Sequence, residues 1–354
     1  MNQYCIYIAR LLSACCFFIF LTTANTWMDT LNNSILVFGY RFFILLAPLF
    51  LILTKRWITF IAFFISMIGM ACWFKNEMLL GTILFSMGIS IGGFVLKYYT
   101  SKTSEGIAGN RIALNVGGFL SGIVILFPAN YQLFLWVGIG LMLITLICSI
   151  FIGKEEKNEN ETQKINFSFV KLMSLRGIAW SVVGIVAGIR FAAVISILPQ
   201  YLIDYYGSLP NWYGFMISLD TLMVIFFQSY ITRFMKHFDL NQSLFTLLFS
   251  MIIVAVPGIF FCQTILGAMI WTMIIVILEC AISYLDLFSR EEGTLLIKEF
   301  FMAIGLTATV FFVRSFDVIS AIFFIGLIGF LGMLFVMKIL GPVEDKKEEA
   351  VTVM

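Results

Sequence analysis

Five ionisable side chains interrupt otherwise apolar stretches: Arg10, Arg41, Arg190, Asp220 and Glu279. Charge inside a membrane helix is costly, so each is a functional candidate unless its side chain reaches the headgroups. Arg10 and Arg41 lie about two turns from the nearer ends of their runs, where anchoring or structural pairing competes evenly with a binding role. Arg190 lies about 13 residues from either end of its run, near the bilayer midplane, where snorkelling is hardest. Asp220 and Glu279 fall roughly 14 Å and 22 Å from the outer ends of theirs, and Arg190 at roughly 18 Å is in reach of either. A desolvated carboxylate gains proton affinity and a neighbouring guanidinium lowers it again, which is the chemistry of a proton-coupled switch. The guanidinium also suits a carboxylate or another anionic group.

Other chemistries lack their residues. The single histidine, His237, rules out multi-histidine metal sites and the H-E-x-x-H pattern. A phosphate-binding G-x-x-x-x-G-K-[ST] loop is missing, and the seven cysteines are scattered without metal or disulfide spacing. We expect no enzyme, no cofactor and no bound metal. With 22 basic and 20 acidic residues, nothing indicates a nucleic-acid partner. Asn115, Gln228, Thr307 and Thr309 could line a path, although lone amides and hydroxyls in membrane helices more often bond a neighbouring helix.

These residues need helices to hold them. Of the 354 residues, 61% are hydrophobic and 12% charged, outside the range of a soluble domain. Apolar runs of about 20 residues, enough to cross the hydrocarbon core, predict helices near 4–24, 34–54, 57–74, 78–98, 110–128, 131–152, 177–202, 211–232, 242–262, 264–286, 297–314 and 318–340. Arg10 interrupts the first run, so that run reads as a span and not as a cleaved leader ending at Cys15. The expected fold class is all-α integral membrane, with twelve transmembrane helices in two six-helix bundles.

Lysine and arginine bias orients the spans. One side receives Lys55, Arg56, Lys97, Lys102, Arg111, the linker cations, Arg233, Lys236, Arg290, Lys298 and Lys338, whereas Lys75 and Arg314 fall on the other. The alternation holds across all twelve runs and predicts cytoplasmic N- and C-termini. The division is an N-terminal bundle at 1–152, a charged linker at 153–176, a C-terminal bundle at 177–340 and a cytoplasmic tail at 341–354. Gly88-x-x-x-Gly92, Gly118-x-x-x-Gly122 and Gly184-x-x-x-Gly188 suit close helix approach, and Pro48 and Pro257 suit kinks.

Two six-helix halves with a charged linker resemble the plan of the major facilitator superfamily. The stretch Leu198-Pro-Gln-Tyr-Leu202 with Tyr213-Gly-Phe-Met-Ile-Ser218 is similar to that family's passage from the seventh to the eighth helix, and Arg111-Ile-Ala-Leu-Asn115-Val-Gly117-Gly118 to the start of its fifth. The loop signature G-x-x-x-D-R-x-G-R-R is reduced here to Lys55 and Arg56, and the antiporter glycine-proline motif is absent. The resemblance implies a monomeric secondary transporter in the cell (inner) membrane, working by alternating access. Its expected partners are the lipid bilayer, a coupling proton and a small organic solute, an anion among the options. The residues themselves lead us to expect substrate contacts at Arg190, Arg41 and Asn115, with Glu279 or Asp220 carrying the proton. Because the family's first, fourth, seventh and tenth helices line its cavity, the resemblance favours Glu279 over Asp220 as partner of Arg190. Efflux of hydrophobic or amphipathic compounds is the alternative, and a non-transporting sensor or assembly factor a remoter one.

Overall fold

The computed structural model describes residues 3–28, 30–47, 57–125, 131–159, 173–207, 210 and 212–341. Their regular structure is helical throughout, as an apolar chain in lipid requires, because a helix satisfies its backbone polar groups internally. In chain order these are α1 (Gln3–Trp27), α2 (Thr30–Phe42), α3 (Ile58–Phe74), α4 (Met78–Thr100), α5 (Ser104–Ile125) and α6 (Tyr131–Glu159). There follow α7 (Leu175–Ala192), α8 (Leu198–Tyr206), α9 (Trp212–Met235), α10 (Leu240–Ile253), α11 (Ile265–Ile282), α12 (Leu285–Glu291), α13 (Leu295–Ser315) and α14 (Val318–Leu340). A π turn, Ala193–Ile197, carries α7 into α8, and a π turn over Val254–Gly258 with a 3-10 turn over Ile259–Gln263 extends α10.

Helix starts follow cap chemistry. Ser174, Asp239, Thr264 and Asp317 accept from the backbone N–H groups of Gly177, Gln242, Gly267 and Ser320. Gln242 returns a bond to the Asp239 N–H, closing a capping box. Gly207, at φ 78°, ends α8 in the left-handed region open to glycine.

Among the described residues, seven segments are long and apolar enough to cross a membrane: Tyr4–Leu21, Met78–Thr100, Tyr131–Ile152, Leu175–Ala192, Leu240–Gln263, Ile265–Glu291 and Val318–Leu340. Large apolar side chains such as Phe261, Trp136 and Leu331 are exposed on their outer faces, as a lipid solvent demands. The protein is a multi-pass membrane protein. One buried cluster draws on residues 6–152, with Phe20, Phe63, Trp73 and Phe85, and another on residues 179–340, with Trp180, Leu244, Trp271 and Met333.

Glycines set the closest helix contacts. A Cβ on Gly188 would stand 2.7 Å from the Leu306 N, so α7 and α13 touch backbone to backbone. Gly88 and Gly92 seat α4 against Ala62 and Phe63 of α3. The expected Gly118-x-x-x-Gly122 seam is corrected on its first glycine. Gly118 meets only Phe18 at 3.5 Å, whereas Gly117 packs directly on α1, 2.8 Å from the Ala14 Cβ. The side of Gly122, like Pro48 and the predicted junction at 128–130, lies outside the described residues.

Pro257 lies in the second π turn, where the missing N–H breaks the α-helical ladder. The predicted tenth helix divides at Ser283 into α11 and α12, and α6 continues to Glu159 past the predicted start of the linker. Arg111, counted above among loop charges, lies two turns inside α5 because that helix starts at Ser104.

Candidate functional site

The buried charges converge on Glu279. From α7, the Arg190 Nη1 and Nη2 both donate to the Glu279 Oε2 at 3.2 Å. Arg190 makes two further bonds: Nε donates to the Ser250 Oγ of α10 at 2.9 Å, and Nη2 to the Ile275 carbonyl of α11 at 2.8 Å. The other carboxylate oxygen of Glu279, Oε1, pairs with the Arg111 Nη2 of α5. One carboxylate thus holds two guanidinium groups from separate parts of the chain.

Asp220 on α9 is in electrostatic reach of both arginines, but it bonds neither of them. Its Oδ1 is buried without a hydrogen-bond partner among the described residues. Of the two carboxylates left open as partner for Arg190, the geometry selects Glu279. The Tyr213 hydroxyl, two turns before Asp220, donates to the Val194 carbonyl in the π turn that follows Arg190, at 3.0 Å. The widened turn frees that carbonyl from regular helix bonding, a device often found at functional positions.

Other candidates fall elsewhere. The Asn115 amide donates to the Arg111 carbonyl at 2.9 Å and so stays on its own helix. The side chain of Arg41 lies outside the described residues. Gln228 donates to Thr232, the Cys280 carbonyl and Ser283, joining α9 to α11 as a packing contact. Thr307 and Thr309 return their hydroxyls to Ala303 and Gly305 of the same helix.

Two further tiers of charge lie toward the helix ends. Lys97 of α4 reaches the Asp286 Oδ2 of α12 at 2.9 Å and the Glu299 Oε1 of α13 at 2.7 Å. Lys298 pairs with the Asp286 Oδ1 and lies 3.6 Å from the Glu299 Oε1, closing a buried quartet of two cations and two anions. Beyond it, Glu105 of α5 pairs with Lys236 after α9, and the Arg290 guanidinium stands 4.5 Å over the Tyr98 ring. Charge-bias counting places Lys97, Lys236, Arg290 and Lys298 at span ends as orientation signals only. Their pairing is not legible there, because each partner comes from a distant stretch of chain.

Among the described residues, no group of three His, Cys, Asp or Glu side chains is placed to hold a metal ion. The seven cysteines are free thiols.

Solved structures resemble the whole chain. The human organic anion transporter MFSD10 (TETRAN) superposes with a TM-score of 0.65 at 12% identity, over 94% of this chain and 98% of its own. A bacterial homologue of the iron transporter ferroportin, in an outward-facing state, gives 0.67 at 13% identity over 97% and 100%. The chain shares the fold of these two transporters. The nucleoside transporter NupG, in a mutant form, agrees at 0.64 and 13% identity over 95% and 99%. No family model and no curated protein sequence matches the chain. Within this fold the Arg111, Arg190 and Glu279 triad is internal.

Proposed function

We propose that the chain is a proton-coupled secondary transporter of a small organic anion. Its twelve spans form two bundles, 1–152 and 177–340, joined by the cytoplasmic linker 153–176 and followed by the tail 341–354. It works by alternating access as a monomer in the cell membrane, with both termini inside.

The observation that carries this reading is the sharing of Glu279 between Arg190 of the second bundle and Arg111 of the first. Ionised, Glu279 occupies both guanidinium groups and ties the bundles together. A proton on either of its carboxyl oxygens removes the charge that holds them, and an anionic solute then finds two cations with free donors. Loss of the proton restores the internal pair and expels the solute, so proton and anion travel in the same direction. Asp220, in the field of both arginines, offsets the remaining positive charge.

Alternation is supported by where the bundles are tied. The quartet of Lys97, Asp286, Lys298 and Glu299 and the Glu105–Lys236 pair gather at the ends of α4 and α9 and the starts of α5, α12 and α13. By the lysine and arginine bias this is the cytoplasmic end, so the conformation reads as closed inside and accessible outside.

The test is uptake by proteoliposomes under an imposed proton gradient, with labelled lactate, succinate and citrate as probes. The expected result is accumulation of at least one anion, abolished in Glu279→Gln. Gradient-driven accumulation that survives unchanged in Glu279→Gln overturns the coupling. Movement of hydrophobic dyes with none of the three anions replaces this reading with efflux.

A further inference from the structure

Arg10 is as buried as Arg190, at 6% and 4% exposure, yet it is treated differently. Arg190 spends its donors on Glu279, Ser250 and a carbonyl. Among the described residues, no ion pair or hydrogen bond reaches the Arg10 guanidinium, and its Nε is sealed from solvent without a partner. A bare guanidinium in an apolar interior is unfavourable unless something compensates it.

Its surroundings point to what that is. The Arg10 Nη1 lies against Gly93 of α4, where a Cβ would stand 2.6 Å from it. Ser86, Ser90, Gly93 and Lys97 recur at helical spacing and form one stripe along α4. The opposite face of that helix, with Gly88 and Gly92, is packed on α3. Lys97, on the stripe, crosses to α12 and α13, whereas Gly93 meets Arg10 of α1 and the Ser86 Cβ lies 3.0 Å from where a Cβ on Gly39 of α2 would stand. The hydroxyls of Ser86 and Ser90 are buried and unpartnered. Elsewhere, buried hydroxyls such as those of Thr100, Ser149 and Ser181 return to the carbonyl four residues back, although those of Thr59 and Ser243 share the unpartnered state among the described residues.

We infer that Arg10, backed by Ser90 and Ser86, is an anion-binding site that anchors the acidic end of a small polar organic solute. The guanidinium fork takes a carboxylate or phosphate group in two parallel hydrogen bonds. The two hydroxyls receive polar groups up to roughly 10 Å farther along the solute, the rise of α4 between Gly93 and Ser86. Gly93 is glycine because a side chain there would displace the guanidinium. The claim that the bound solute is also transported rests on the function proposed above; the site itself does not.

The test is thermal unfolding of the purified full-length protein with succinate, citrate or inorganic phosphate, each against chloride at equal ionic strength. Arg10→Met is expected to melt at or above the original without ligand, since it removes an uncompensated charge, and to lose the anion-induced shift. Gly93→Ala is expected to keep the ligand-free melting point and weaken binding roughly tenfold, about the share of one charge-assisted hydrogen bond. A shift with carboxylates alone, or with phosphate alone, supports the site and assigns its anion. The inference is overturned if Arg10→Met melts several degrees lower without ligand, if it retains the full shift, or if none of the three anions stabilises the original. The proton-gradient assay on Glu279→Gln judges the transport reading separately, since it varies Glu279 and leaves Arg10 intact.

Discussion

Glu279 satisfies two arginines with one carboxylate, so its removal leaves two buried cations facing each other. Glu279→Ala is expected to cost about 3–5 kcal/mol of stability, the range for breaking a buried pair from one side, and thermal unfolding in detergent measures it. The exposed Glu105–Lys236 pair behaves differently. The Lys236 ammonium beside Glu105 brings that carboxyl down to about 2, below the roughly 4.3 of an unfolded glutamate. A depressed value means that the pair's contribution is complete above the unfolded value and is lost as pH falls from about 4 to about 2. Solvent screening keeps that contribution small. Glu105→Gln should therefore leave the pH profile of transport between pH 5 and 8 unchanged, whereas Glu279→Gln should flatten it; proteoliposome uptake across that range compares them.

At the scale of elements, the seam between α7 and α13 is the tightest test of packing. Gly188→Ala places a methyl group against the Leu306 backbone N, which no rotamer change can relieve. The expected loss is about 1–3 kcal/mol, read as a lower melting temperature, with a smaller effect at Gly140, where a Cβ meets nothing within 4 Å. The Gly184-x-x-x-Gly188 spacing announced this seam, because two small residues one turn apart clear a strip for another backbone. Long apolar runs likewise announced the helices, since few other arrangements hide 20 backbone amides from lipid. The π turn after Arg190 was not legible. Ala193-Val-Ile-Ser-Ile197 has no proline or glycine to mark it, and its widened carbonyl is held by Tyr213 from another helix.

At the scale of the molecule, Arg190 and Glu279 could be recognised in the sequence because a midplane charge stands out against its own helix. Arg111 could not, because an arginine near the end of an apolar run looks like a headgroup anchor until its helix is seen to start at Ser104 and its partner to come from α11. The same holds for the quartet, whose four members come from three helices. If these contacts close one end of the bundle, linking positions 105 and 236 through a cleavable bis-thiol reagent in Glu105→Cys/Lys236→Cys should stop transport, and cleaving the linker should restore it. Transport that continues with the link intact would mean that the two ends do not separate during the cycle.

The quartet has one further property. Lys97 and Lys298 carry two positive charges, and Asp286 and Glu299 two negative ones, within a single cluster. A membrane potential exerts about 2.3 kcal/mol per elementary charge per 100 mV, but on a group of zero net charge it does almost no work, whichever way the cluster moves. While its four members move as one body, the cluster neither resists nor exploits the voltage, and on the function proposed above the current of the cycle would belong to the cargo and its proton.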